Sequence, residues 1–172
     1  MTSTTETNGL DKLPIFTEII AVRHGETARN ASRVLQGHLD TELNETGRQQ
    51  ATAVADRLFR EPKVAGIYSS DLKRAAETAN IIANICNLPE VRKTATLRER
   101  NLGDIQGLSS SDATKLKPEA YKIFVSTNRD GVIPGGGESL NQLKERSVSC
   151  FERIAKKHKG IFLLYTTQVL IL

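Results

Sequence analysis

The chain has 172 residues, 38% of them hydrophobic and 26% charged, which suits one soluble domain with a core of its own and excludes disordered or collagen-like composition. No apolar run reaches the ~20 residues that cross a bilayer, and Cys86 and Cys150 lie in no CxxC or CxxH pattern, which excludes a disulfide scaffold and a Cys-based zinc cluster. The net charge of +4 is matched by the excess of six basic over two acidic residues between Ser139 and Gly160, so the remainder is neutral. Cations gathered at a helix end are favoured by its dipole, and without aromatic interleaving they do not mark a nucleic-acid surface.

Residues 1–14 are rich in Ser and Thr, carry Glu6 and Asp11, and contain no apolar core segment, so they read as a disordered leader rather than a signal or transit peptide. The folded domain is expected over 15–172, in the cytoplasm. Ile19-Ile20-Ala21-Val22 is a β-branched run broken by His24-Gly25 and predicts a buried strand. Asn44 is placed to cap a helix whose stripe is Ala51, Val54, Ala55, Leu58 and Phe59, ended by Pro62. Val64–Tyr68 predicts a second strand. Asp71 can cap a second helix buried through Leu72, Ala75, Ala79, Ile82, Ala83 and Cys86, with Pro89 closing it.

Val91–Gly137 is less regular, with turn signals at Gly103, Gly107, Pro118, Gly131 and Pro134. Ser139 and Gln142 form a capping-box pattern for a helix that buries Leu140, Leu143, Ser147, Phe151 and Ile154, with Gly160 at its C′ position. Ile161–Tyr165 predicts a third core strand. Strands with continuous apolar character alternating with helices predict a three-layer α/β/α fold around a mostly parallel, doubly wound sheet. Ligands bind such sheets beyond the carboxyl ends of the strands, where Arg23-His24 and Ser69-Ser70 with Arg74 fall.

Arg23-His24-Gly25 suits phosphoryl chemistry. A guanidinium fork holds phosphate oxygens bidentately and disfavours a neighbouring imidazolium, which keeps the imidazole neutral and nucleophilic. Gly25 allows the backbone to approach a ligand. Alone, the triplet reads first as a structural histidine capping a strand end, but it is followed by Gln36-Gly37, Asp40, Ser69-Ser70-Asp71-Leu72, Arg74, Thr78-Ala79, Leu97-x-Glu99, Gly103, Gly107 and Gly136-Gly137-Glu138-Ser139. This ordered set resembles the histidine phosphatase superfamily, which includes the phosphoglycerate mutases, from about Ile19 to Lys159.

The resemblance implies a phosphoglycerate mutase-like fold and a catalytic set of His24, Arg23, Arg74 and Glu99. His24 would be the nucleophile that becomes phosphohistidine. Arg23 and Arg74 would hold the phosphoryl group, with Asn30, Gln36 and Gly37 near it or the substrate. Glu99 would protonate the leaving oxygen and then activate water. No metal or other cofactor is implied, because two arginines neutralise the transferring charge. His38 is expected to face solvent, His158 to meet the last helical carbonyls, and both cysteines to be buried as small hydrophobes.

The resemblance stops after about Gly160. The family's second histidine, followed by glycine, has no counterpart in Phe162-Leu163-Leu164-Tyr165-Thr166-Thr167-Gln168-Val169. This reads as a carboxyl end that is incomplete at the last strand and helices, with weakened activity. An unpaired terminal strand ending in Val169–Leu172 is an association hazard. The reading is a phosphomonoester hydrolase for a small phosphorylated metabolite, with no nucleic acid or membrane partner. The alternatives are an inactive phosphate-ester- or partner-binding domain, and a phosphoglycerate mutase. Mutases carry a longer Arg- and Tyr-rich insertion, whereas Arg129 is the sole Arg between Gly103 and Gly137.

Overall fold

The structure, a computed structural model, describes residues 19–60, 64, 66–88 and 90–158 and the backbone of 163–166. In chain order the elements are β1 (Ile19–Val22), a single turn α1 (Ala28–Ala31), α2 (Glu45–Leu58), β2 (Gly66–Ser69), α3 (Lys73–Ile85), β3 (Arg92–Lys93), α4 (Ser110–Leu116), α5 (Pro118–Val125), α6 (Leu140–Lys157) and β4 (Leu163–Thr166). Two 3₁₀ turns, Ala95–Leu97 and Gly103–Ile105, lie between β3 and α4.

The sheet has the order β1-β4-β2-β3, and every pairing is parallel. Val22 and Ser69 both stand opposite Thr166, so the ends of β1 and β2 are level on either side of β4. All four residues of β2 are buried, as expected of a strand covered on both faces. Successive strand residues point to opposite faces. Ile67 packs with Ala55 of α2 and with Ala79 and Ile82 of α3, whereas its neighbour Tyr68 packs with Cys150 and Ile154 of α6. The three-layer α/β/α architecture follows. A third cluster around Leu102, Ile105, Ala113, Ala120 and Ile133 holds α4 and α5 together beside the sheet.

Two caps form as the sequence predicts. Asn44 Oδ1 accepts the Gly47 N–H at 2.8 Å, and Ser139 with Gln142 closes a full capping box at 3.1 and 2.8 Å. The Asp71 cap does not form. Leu72 is the N-cap of α3 without a side-chain bond, because the Asp71 carboxylate is taken by Arg98 at 2.7 and 2.5 Å. The second strand begins at Gly66 rather than Val64, and the last core strand runs to Thr166 rather than Tyr165. Within the α2 stripe, Phe59 is 62% exposed, since the helix ends at Leu58 before Phe59 can turn inward. On α6, Leu140, Leu143 and Phe151 are half-buried, and Ser147, Cys150 and Ile154 carry the burial.

The unpaired terminal strand is also corrected. β4 is paired on both edges, between β1 and β2. Residues 1–14, Pro62, Pro89, Gly160 and the apolar run 169–172 lie outside the described residues. Gly25 also serves packing within the fold. It packs on Gly47 at the start of α2, where a Cβ on either glycine would overlap the other segment's backbone carbonyl. This contact seats the loop after β1 directly on α2.

Candidate active site

His24 follows β1 at the carboxyl edge of the sheet and is 5% exposed. Its Nδ1 lies 2.6 Å from the Gly25 carbonyl oxygen, and its Nε2 lies 3.1 Å from Arg74 Nε. A carbonyl can only accept and an arginine Nε–H can only donate. Nδ1 therefore carries the proton, and Nε2 presents its lone pair. This is the neutral tautomer that a nitrogen nucleophile requires.

Arg74 is the second residue of α3 and is 1% exposed. Beyond His24, it donates to the Leu39 and Gly37 carbonyls, each at 2.8 Å, and to Glu99 Oε2 at 2.7 Å. The Gly37 carbonyl is presented by a left-handed turn at φ 52°, which suits glycine. Burial pulls the Arg74 pKa down and the Glu99 carboxylate opposes that pull. Thr78, one turn further along α3, accepts the Gly25 N–H at 3.0 Å and donates to the Arg74 carbonyl at 2.8 Å. It ties the histidine loop to the arginine helix.

Glu99 sits in the loop after the first 3₁₀ turn, with its side chain 17% exposed. Burial pushes its pKa up to about 7, against the opposing pull of Arg74 and Arg23. A carboxyl group that titrates near neutrality, one guanidinium away from a nucleophilic imidazole, is equipped both to give and to take a proton.

Arg23 is exposed and, with His24, Gly25 and Asn30, lines a cavity of about 340 Å³ that extends toward Ala51 and Val54 of α2. Arg74 and Glu99 are not among its walls, so the cavity meets the hydrogen-bonded centre at His24. Asn30 forms a capping box with Thr27, in which its Oδ1 accepts the Thr27 N–H at 3.1 Å. Its carboxamide NH2 makes no hydrogen bond among the described residues. Gln36 Oε1 accepts from the hydroxyls of Thr27 at 3.0 Å and Thr41 at 2.6 Å, and its Nε2 is buried without a hydrogen-bond partner among the described residues. Gly37 reaches the centre through its carbonyl on Arg74. Thus His24, Arg74, Glu99 and Gly37 form one bonded unit, Arg23 and Asn30 share the cavity, and Gln36 supports the wall behind.

Two expectations change here, those for His38 and Cys86. His38 is half-buried rather than solvent-facing, with Nε2 2.8 Å from the Glu99 carbonyl oxygen. Its backbone N–H donates to Gln106 Oε1 at 2.5 Å. The His158 backbone N–H donates to the Ala155 carbonyl at the end of α6, and its ring meets the Tyr68 hydroxyl at 2.8 Å. Cys150 is buried, but Cys86 is half-buried and its thiol donates to the Ala55 carbonyl at 3.4 Å. Among the described residues, no three His, Cys, Asp or Glu side chains gather closely enough to hold a metal, and no helix is long and apolar enough to cross a membrane.

The family model of the histidine phosphatase superfamily (branch 1) matches residues 19–171. The chain belongs to the histidine phosphatase superfamily. Within that superfamily, the chain is 55% identical to phosphoglycerate mutase-like protein 4 of Arabidopsis thaliana over 89% of its own length and 66% of that protein's. It is 49% identical to the metal-independent phosphoserine phosphatase of the same plant, over 88% of the chain and 64% of that protein. The chain thus spans just under two thirds of the length of these curated relatives. Among solved structures, Bacillus stearothermophilus YhfR superposes with a TM-score of 0.80 at 32% identity, covering 88% of this chain and 74% of that one.

Sequence reasoning missed Thr78 as a brace, His38 as a contact of Glu99, and the Arg146–Glu138 ion pair, whose guanidinium donates to the Glu99 carbonyl at 2.8 Å. Thr78 and Glu138 stood inside the family-like segments without an assigned role. His38 follows Gln36-Gly37 directly. Arg146 was one of six cations in a basic stretch, and no local pattern distinguished it.

Proposed function

We propose that the chain is a phosphomonoester hydrolase acting on a small phosphorylated metabolite through a phosphohistidine at His24. The observation that carries this is Arg74, which donates at once to His24 Nε2 and to a Glu99 carboxyl poised near neutrality. In the first step, Nε2 attacks phosphorus and forms the N–P bond. The P–O ester bond breaks, and Glu99 gives its proton to the leaving oxygen. In the second step, water attacks the phosphorus, its proton passes to the Glu99 carboxylate, and the N–P bond breaks to release orthophosphate. Arg23, Arg74 and the Asn30 carboxamide neutralise and orient the phosphoryl oxygens.

Hydrolysis is favoured over mutase chemistry by the compact stretch between Glu99 and α6. It forms the short helices α4 and α5, and Arg129 is exposed and bonded to Asn141 at 3.3 Å rather than turned to a substrate. The 49% identity to a relative named phosphoserine phosphatase makes phosphoserine the first substrate to assay.

One observation favours a second reading, a phosphate-ester-binding domain with little turnover. Gln168 and Val169, outside the described residues, stand where the resemblance calls for histidine and glycine. A neutral amide brings no charge to the transferring group, which costs ~2.7–4 kcal/mol at the transition state, or roughly 10²–10³ in rate. Incubation with ³²P-labelled phosphodonor and an alkaline quench, in which phosphohistidine survives, separates the two. Label on the wild type and none on His24→Ala is the expected result. Intact ester binding without label would select the binding domain.

A further inference from the structure

Glu99 is held by its main chain rather than by its carboxylate alone. Its carbonyl oxygen accepts from Arg146 Nη2 at 2.8 Å as well as from His38 Nε2 at 2.8 Å. Arg146 projects from the second turn of α6, and its Nη1 donates to two more carbonyls of the same loop, Thr96 at 2.9 Å and Arg98 at 2.8 Å. The guanidinium is fixed in turn by a bidentate pair with Glu138, at 2.6 Å from Nε to Oε1 and 2.8 Å from Nη2 to Oε2. Glu138 also accepts the Asn101 N–H at 2.8 Å, so it grips the loop on the far side of Glu99. Both charged side chains are 20% exposed.

We infer that Arg146, fixed by Glu138, is a positioning residue that sets where the Glu99 carboxyl stands relative to the leaving oxygen. Residues 96–101 form neither strand nor α-helix, and their carbonyls have few partners of regular structure to fix them. A planar fork with five donors can bind several carbonyls in one rigid geometry, whereas a lysine ammonium on a flexible stem cannot. Displacing a catalytic group by about 1 Å can cost ~10²-fold in rate even when the changed residue is remote from the chemistry. The capping box at Ser139 fixes the start of α6 seven residues before Arg146, so helix and loop are set in one frame.

The inference rests on Glu99 being the proton donor, and the test separates the two claims. Formation of phosphohistidine is followed in single turnovers with two substrates. 2,4-Dinitrophenyl phosphate has a leaving group that needs no proton, whereas phosphoserine has an alkoxide leaving group that does. Glu99→Gln serves as the reference. It should slow phosphorylation by phosphoserine ~10²-fold or more while sparing the dinitrophenyl ester. If it slows both alike, the reading of Glu99 fails, and the inference fails with it.

Given that signature, Arg146→Lys should reproduce it with a ~10²-fold loss on phosphoserine alone. The double variant Arg146→Lys, Glu99→Gln should be no slower than Glu99→Gln by itself, because residues that act as a unit are not additive. A structural role alone would lower both substrates' rates by the same factor and would add to the Glu99→Gln loss. Either result overturns the inference. Glu138→Gln keeps an acceptor for the Asn101 N–H but loses the ionic grip. It should show the same leaving-group dependence in milder form, which keeps the question answerable if Arg146→Lys does not fold.

Discussion

At the scale of single residues, the site depends on what each polar atom is able to do. Because a carbonyl faces Nδ1 and a guanidinium N–H faces Nε2, His24 has one tautomer open to it, and that tautomer is the nucleophilic one. Glu99 carries the pH dependence. Its folded pKa is raised by burial to about 7, so the protonated acid predominates below that value and the carboxylate above it. The general acid must enter the reaction protonated, so kcat/KM for phosphoserine should fall above about pH 7, tenfold per pH unit on the alkaline limb. Glu99→Gln should abolish that limb along with ~10²–10⁴ of the rate.

Stability moves with the same sign. A carboxyl whose folded pKa lies above its unfolded value favours the fold at low pH, and it loses that contribution as pH rises through about 7. Urea melts of wild type and Glu99→Gln compared at pH 5 and pH 8 should show the difference shifting toward the glutamine variant at the higher pH. These site residues were legible in sequence because Arg23-His24, Arg74 and Glu99 lie in short segments with recognisable order. His38 and Arg146 were not, because they act on the Glu99 carbonyl. Which carbonyl a side chain reaches is decided by how distant segments pack, 61 and 47 residues away along the chain.

At the scale of elements, legibility followed length and local completeness. α2, α3 and α6 repeat an apolar stripe over three turns or more, so periodicity exposed them. The single turn α1, the two residues of β3 and the short pair α4 and α5 offer too few repeats to read. Caps divided on the same ground. Ser139 and Gln142 satisfy each other within four residues, whereas Asp71 is drawn from its helix by Arg98, 27 residues on, because a bidentate ion pair outcompetes a single backbone N–H. Ser139→Ala removes the Oγ acceptor at the head of α6 and should cost ~1 kcal/mol, seen as a fall in melting temperature of about 2–4 °C. Ser139→Asp, which restores an acceptor there, should recover most of the loss.

At the scale of the whole molecule, the parallel sheet was readable but the order of its strands was not. Continuous apolar runs between helices reveal that a strand is buried on both faces, but not which strand it neighbours. The last of the described strands takes an interior place. β4 joins β1 to β2, and β1 has no other strand partner among the described residues. The segment that carries His24 is therefore fastened to the segment that leads to Arg74 through residues 163–166. Leu164 stands opposite Ile20 on one side and Ile67 on the other. A proline there removes the backbone N–H and bends a strand that has neighbours on both edges, where proline is not tolerated. Leu164→Pro should remove most of a typical total stability of about 5–15 kcal/mol. The expected result is loss of the near-UV circular dichroism signal and of a cooperative urea transition, with phosphohistidine labelling lost in parallel. Leu164→Val keeps the N–H and should retain all three. A proline variant that unfolds cooperatively and still labels at His24 would mean that β1 and β2 are held together by the helices rather than by β4.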